Sequence, residues 1–234
     1  MKTIGLIGGM SFESTIEYYR TINQLMKERL GGWHSAKIIM YSVDFAEIHE
    51  HQNTGNWESA GELLAQAGRK IENGGADLIV LCTNTMHKVA NYIEQATKIP
   101  LVHIADATAE KIIASGIKKV GLLGTKYTME QDFYKDRLRD KYALEVIVPN
   151  SADIAIINEV IFSELVLGKI NSESQKAYVK IINKLLKQGA EGIILGCTEI
   201  GLLIKEGAVP CPIFDTTYLH SEKAVEIALD TVRL

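Results

Sequence analysis

One pattern occurs twice in this chain and limits its fold more than any other feature. The first copy is Gly75-Ala76-Asp77, a short apolar run, then Leu81-Cys82-Thr83-Asn84-Thr85. The second is Gly189-Ala190-Glu191, another apolar run, then Leu195-Gly196-Cys197-Thr198-Glu199. Superposing them puts Thr83 on Cys197, Asn84 on Thr198 and Thr85 on Glu199. The offset is close to half of the 234-residue length, and such self-similarity marks a duplicated unit. Two copies facing each other would set one small polar group on each side of a shared cleft.

The segments around both copies alternate between strand and helix. Lys2 to Gly8 lacks the polar alternation of a half-exposed strand and reads as buried on both faces. Gly8-Gly9-Met10-Ser11 then turns, and a helix is expected from about Ser14, whose spacing to Glu17 fits a capping box. Ile38 to Val43 is the next strand, and the polar stretch Asp44 to Asn56 reads as a long loop. Helices follow over about Trp57–Glu72 and Thr85–Ala96, with strands at Leu78–Leu81 and from Leu101. The second half repeats the scheme, with further capping boxes at Thr128/Gln131 and Ser172/Gln175 and a last helix over about Thr217–Val232. This order predicts an α/β protein of two similar, pseudo-symmetric domains, each a mainly parallel sheet flanked by helices. The repeat closes near Pro210, so the surplus strand and helix are expected to rejoin the first domain. The expected domains are 1–103 plus 211–234, and 104–210.

Composition removes several classes of function. At 47% hydrophobic and 23% charged, the chain can build an ordinary core. A net charge of −4 without a basic run argues against nucleic acid as a partner. The strand-like run near Met1 is too short for a signal sequence or membrane span, which points to the cytoplasm. Three cysteines without CxxC spacing suit cytosolic thiols better than a disulfide framework or zinc site. His49 and His51 are poorly spaced for metal, and no metal is expected.

The Gly8-Gly9-Met10-Ser11 turn lies where open α/β sheets bind ligands, but it also reads as a plain tight turn. It does not match the dinucleotide pattern G-x-G-x-x-G. Cys197 is the foremost catalytic candidate. A lone cysteine is commonly an inert buried residue; this one sits in the duplicated motif, at the carboxyl end of a buried strand. A helix starting beyond it is expected to help lower the thiol pKa. Thr83, its counterpart, reads equally as a helix N-cap. Cys82 should point to the opposite face and join the core, and Cys211 reads as structural. His87, four positions past Thr83, reads as cleft edge or helix surface.

These residues resemble the cofactor-independent aspartate/glutamate racemase family. The likeness rests on Gly8-Gly9-Met10-Ser11 with Ser14-Thr15, on Cys82-Thr83-Asn84-Thr85-Met86-His87, on Gly124 to Met129 and on Gly196-Cys197-Thr198-Glu199. It spans the whole chain. It implies an active site between the two domains, no cofactor, an amino-acid substrate and a homodimer. The family's usual pair is two cysteines, and here Thr83 holds one of those places. That pairing is similar to the subgroup specific for L-aspartate and L-glutamate. Under this resemblance Cys197 takes the α-proton and Thr83 returns one, since an alcohol is a poor base but can still donate. Met10, Ser11, Asn84, Thr85, Thr198 and Glu199 are the expected substrate-binding residues around the α-carboxylate and ammonium. Gln52 and Lys169 are nominated for a second carboxylate. Two rivals fit the same architecture: an isomerase or decarboxylase of dicarboxylic acids, and a non-catalytic amino-acid sensor.

Overall fold

Apolar runs without alternation need cover on both faces, and the strands find it in two four-stranded parallel sheets. The computed structural model describes residues 1–230; Val232, the expected end of the last helix, lies outside them. The chain divides into two units, Met1–His103 joined by the chain from His220 onward, and Ile104–Leu219.

In the first unit β1 (Ile4–Gly8) leads to α1 (Phe12–Leu30) and β2 (Ile38–Ser42). Then come α2 (Phe45–Thr54), α3 (Trp57–Asn73), β3 (Leu78–Leu81), a 3₁₀ turn (Thr85–Val89), α4 (Ala90–Ala96) and β4 (Leu101–Val102). The strand order is β2-β1-β3-β4. Ile4 and Leu6 pack with Tyr18, Ile22 and Met26 of α1 on one face. Ile7 packs with Leu64, Ala67 and Ile71 of α3 on the other.

The second unit runs α5 (Ile104–Ala114), β5 (Lys119–Gly124), α6 (Lys126–Glu130), α7 (Asp132–Tyr142), β6 (Glu145–Ile147) and α8 (Ser151–Ser163). After a 3₁₀ turn (Leu165–Leu167) come α9 (Ser172–Lys187), β7 (Gly192–Gly196), α10 (Ile200–Leu203), β8 (Ile213–Asp215) and α11 (Thr216–Leu229). The order β6-β5-β7-β8 repeats that of the first sheet. The strand after Pro210 does not go with the first unit: β8 pairs with β7, Phe214 opposite Ile194. The chain leaves the second unit within α11, at Leu219.

The repeated Gly-Ala-acid turn has the same construction in both units. Gly75 and Gly189 both have φ of 94°, a region that glycine enters without the Cβ penalty. The Asp77 carboxylate accepts the Thr3 N–H at 2.6 Å, and the Asp77 N–H donates to Thr3 O. Glu191 accepts the N–H groups of Lys118 and Lys119 at 2.8 and 3.3 Å, and its own N–H donates to Lys119 O. Each acid thus ties the start of its unit's β1 or β5 to the strand that carries the polar motif.

The expected helix starts are displaced. Ser11, not Ser14, caps α1, its Oγ accepting from Ser14 N. Thr125 rather than Thr128 caps α6, and Asn171 rather than Ser172 caps α9. The segment read as a polar loop is α2, capped by Asp44. Among the described residues no helix is long and apolar enough to cross a membrane.

Candidate active site

Both polar motifs stand at the carboxyl ends of inner strands, β3 and β7, each paired with the other inner strand of its sheet. Ile7 of β1 faces Leu81 of β3, and Leu123 of β5 faces Leu195 of β7. The turns after β1 and β3 are therefore neighbours, as are those after β5 and β7.

In the first unit Thr83 is almost wholly buried. It caps no helix: the N-cap of the following turn is Asn84, which makes no side-chain capping bond. The Thr83 hydroxyl makes no hydrogen bond to any described residue. Its carbonyl is fixed instead, 2.7 Å from His87 Nδ1. A carbonyl only accepts, so Nδ1 carries the proton. His87 is packed inside, its ring centroid 4.5 Å from that of His103, which excludes the helix-surface alternative. Gln52 is buried on α2, its Nε2 3.1 Å from Met86 Sδ, so the structure does bring it to the turn that follows Thr83. Met10 lies in the core. Ser11 is occupied as the α1 cap, and its carbonyl accepts the Thr15 hydroxyl at 2.7 Å. Thr15 Oγ1 in turn accepts from Gly9 N at 2.9 Å, which closes the turn. Asn84 and Thr85 are buried beside Thr83. Cys82 sits in the core, its thiol raised far above the ordinary value by burial.

In the second unit Cys197 is 7% exposed. Its Sγ–H donates to Glu199 Oε2 at 3.1 Å. The Thr198 hydroxyl donates to the same oxygen at 2.9 Å. Glu199 and Thr198, expected to meet substrate, are thus first bound to each other and to the thiol. The expected lowering of the thiol pKa is reversed: burial pushes it well above 9.0, and the Glu199 carboxylate pushes the same way. The helix beyond is only Ile200–Leu203, too short to outweigh a carboxylate in hydrogen-bond contact. Lys169 stands exposed on the loop after Gly168; its backbone N–H donates to Glu164 O.

Three residues around these motifs lack a signal in the repeat. The Thr217 hydroxyl donates to Thr198 O at 3.3 Å, and that of Thr216 to Leu195 O at 2.8 Å. His103 follows β4 and stacks on His87. Each lies just past an outer strand, so "polar after a short buried strand" is the rule that finds them. No group of His, Cys, Asp and Glu able to hold a metal occurs among the described residues.

Each unit is thus a parallel α/β sheet of the same strand order, and in the second a buried thiol is bonded to a carboxylate where β7 ends. The Asp/Glu/hydantoin racemase family model matches residues 7–224, and the chain belongs to that family of amino-acid racemases. A solved structure from Yersinia pestis is 55% identical, with a TM-score of 0.91 over 98% of this chain and 100% of that one. PH1733, an aspartate racemase homologue from Pyrococcus horikoshii OT3, is 40% identical, with a TM-score of 0.85 over 97% and 99%. The broad specificity amino-acid racemase RacX of Bacillus subtilis is 27% identical over 160 residues, 68% of each chain.

Proposed function

We propose that the protein interconverts the enantiomers of aspartate or glutamate by direct proton transfer at the α-carbon, without pyridoxal phosphate. Cys197 acts as the base and Thr83 as the opposing proton donor. The observation that carries this reading is the Cys197 Sγ–H···Glu199 contact at 3.1 Å, at the site where the repeat sets Thr83 in the other copy. A thiol of raised pKa gives a stronger base once ionised, which an α-proton requires. Glu199 is the acceptor at hand for the thiol proton. In this scheme that proton passes to Glu199 and the thiolate removes the substrate α-proton. The Thr83 hydroxyl then protonates the opposite face, and water returns the Glu199 proton to Thr83.

Thr83 makes the two directions unequal, because threonine cannot serve as base as cysteine can. Deuterium uptake at the α-carbon in heavy water, followed by NMR for each enantiomer of aspartate and glutamate, tests this. One enantiomer, the L form, should exchange much faster. Thr83→Cys should raise exchange from the slow enantiomer, and Cys197→Ala should abolish exchange from both. Equal wild-type rates, or exchange that survives Cys197→Ala, would refute the assignment.

A further inference from the structure

The second unit contains a cavity of about 500 Å³ that the motif residues do not line, Leu195 apart. Its walls include Leu195 of β7, Phe214 of β8, Ile204 and Leu219, which are buried and apolar. Its charged groups are of both signs: the Asp215 carboxylate, and at the exposed rim the Glu206 carboxylate and the ammonium groups of Lys111 and Lys205. Neither ammonium makes a contact ion pair among the described residues. Burial raises the Asp215 carboxyl above its ordinary value, against hydrogen bonds from Tyr218 and Thr217 and the charge of Lys205. A desolvated carboxylate is stabilised by a cation, and ammonium groups at the rim of a cavity attract an anion. A ligand that carries both charges on an apolar body complements the buried carboxylate, the basic rim and the apolar walls.

We infer that this cavity is a second binding site, for an α-amino acid with an apolar side chain, and that its occupancy regulates the thiol site. The side chain lies against Phe214 and Ile204, the ammonium meets Asp215, and the carboxylate meets Lys205 and Lys111. The link to the thiol is short. Asp215 Oδ1 accepts the N–H groups of Thr217 and Tyr218 at 2.9 and 3.3 Å. Thr217 holds Thr198 O, and Thr216 holds Leu195 O. Asp215 also lies directly against Gly201 of α10, where no Cβ would fit. A charge placed on Asp215 therefore acts on both segments that bracket Cys197 to Glu199. The regulatory half rests on the racemase reading; the binding half does not.

Calorimetric titration of the Cys197→Ala protein with L-leucine and L-phenylalanine tests binding apart from turnover. Saturable binding is expected, weakened about tenfold by Lys205→Ala and by Asp215→Asn. The asparagine oxygen can still accept the two helix N–H groups, so that variant keeps its cap. Absence of binding, binding displaced by aspartate, or binding that neither substitution weakens overturns the site. In the wild-type protein the same amino acids should shift the rate of α-proton exchange, and Lys205→Ala should remove the shift. Binding without a shift overturns the regulation alone. Binding in a protein that exchanges no α-proton refutes the racemase reading and its regulatory corollary, and leaves the site standing.

Discussion

The proposed mechanism sets two demands in conflict at Cys197, and Glu199 stands where they meet. A base must be able to lose its proton, yet burial and the adjacent carboxylate hold the thiol protonated. Replacing Glu199 by glutamine separates the two effects. The substitution removes a negative charge beside the sulfur, so the thiol pKa should fall toward its ordinary value. Alkylation of Cys197 by iodoacetamide near neutral pH should then speed up, because the thiolate is the nucleophile. Racemisation should nevertheless slow by roughly 10²-fold, the usual scale for losing a positioned proton acceptor. Alkylation and turnover moving in opposite directions is the signature. If both fell together, Glu199 would be holding the fold of the loop and not the proton. That Cys197 follows a buried strand, at the place equivalent to Thr83, was legible in the sequence because the repeat singles it out. The direction of its pKa was not, since that depends first on how completely the sulfur is buried and then on which way the Glu199 side chain turns.

Among the elements, the carboxyl ends of β5 and β7 come so close that only glycine fits. Gly124 lies opposite Gly196, and a Cβ on Gly124 would come within 2.7 Å of Gly196 O. Backbone on both sides leaves nothing flexible to yield, so Gly124→Ala must spread the two strands. A loss of about 1–3 kcal/mol is expected from such overpacking, read as a lower urea midpoint with an unchanged slope. Because β7 carries Cys197, exchange activity should fall as well. The strands themselves were readable, since unbroken apolar runs mark parallel sheets covered on both faces. Helix α2 was not: its buried residues are Ile48 and Gln52, too sparse a stripe to separate it from a polar loop. The caps were misplaced for a related reason. The S/T-x-x-E/Q pattern also fits Ser14 and Thr128, both buried one turn inside the helices that Ser11 and Thr125 cap. The place of β8 is set by pairing with β7, which no local pattern records.

Over the whole molecule, the return of the chain to its first unit is held by Ala224, Val225 and Ala228 in the core and by one neutral imidazole. His220 is fully buried, its Nε2 2.7 Å from Val102 O and its Nδ1 3.0 Å from the Tyr18 hydroxyl. The carbonyl can only accept, so Nε2 carries the proton and Nδ1 accepts from Tyr18. A second proton on the ring would displace the Tyr18 bond and bury a charge. Burial accordingly lowers the pKa from 6.5 to about 4. Above pH 6.5 the ring is neutral in folded and unfolded chains, and the bonds contribute in full. As pH falls from 6.5 towards 4, the unfolded chain takes up the proton and the folded one does not, so stability declines. Below about pH 4 both forms are charged and this dependence ends. A shift of that size corresponds to roughly 3 kcal/mol across the window. Urea unfolding between pH 7.5 and 4 should therefore show a falling midpoint, steepest in the middle of this range. His220→Gln offers an amide that can donate to Val102 O and accept from Tyr18 without titrating. It should flatten that part of the profile, and an unaltered slope would place the titrating group elsewhere.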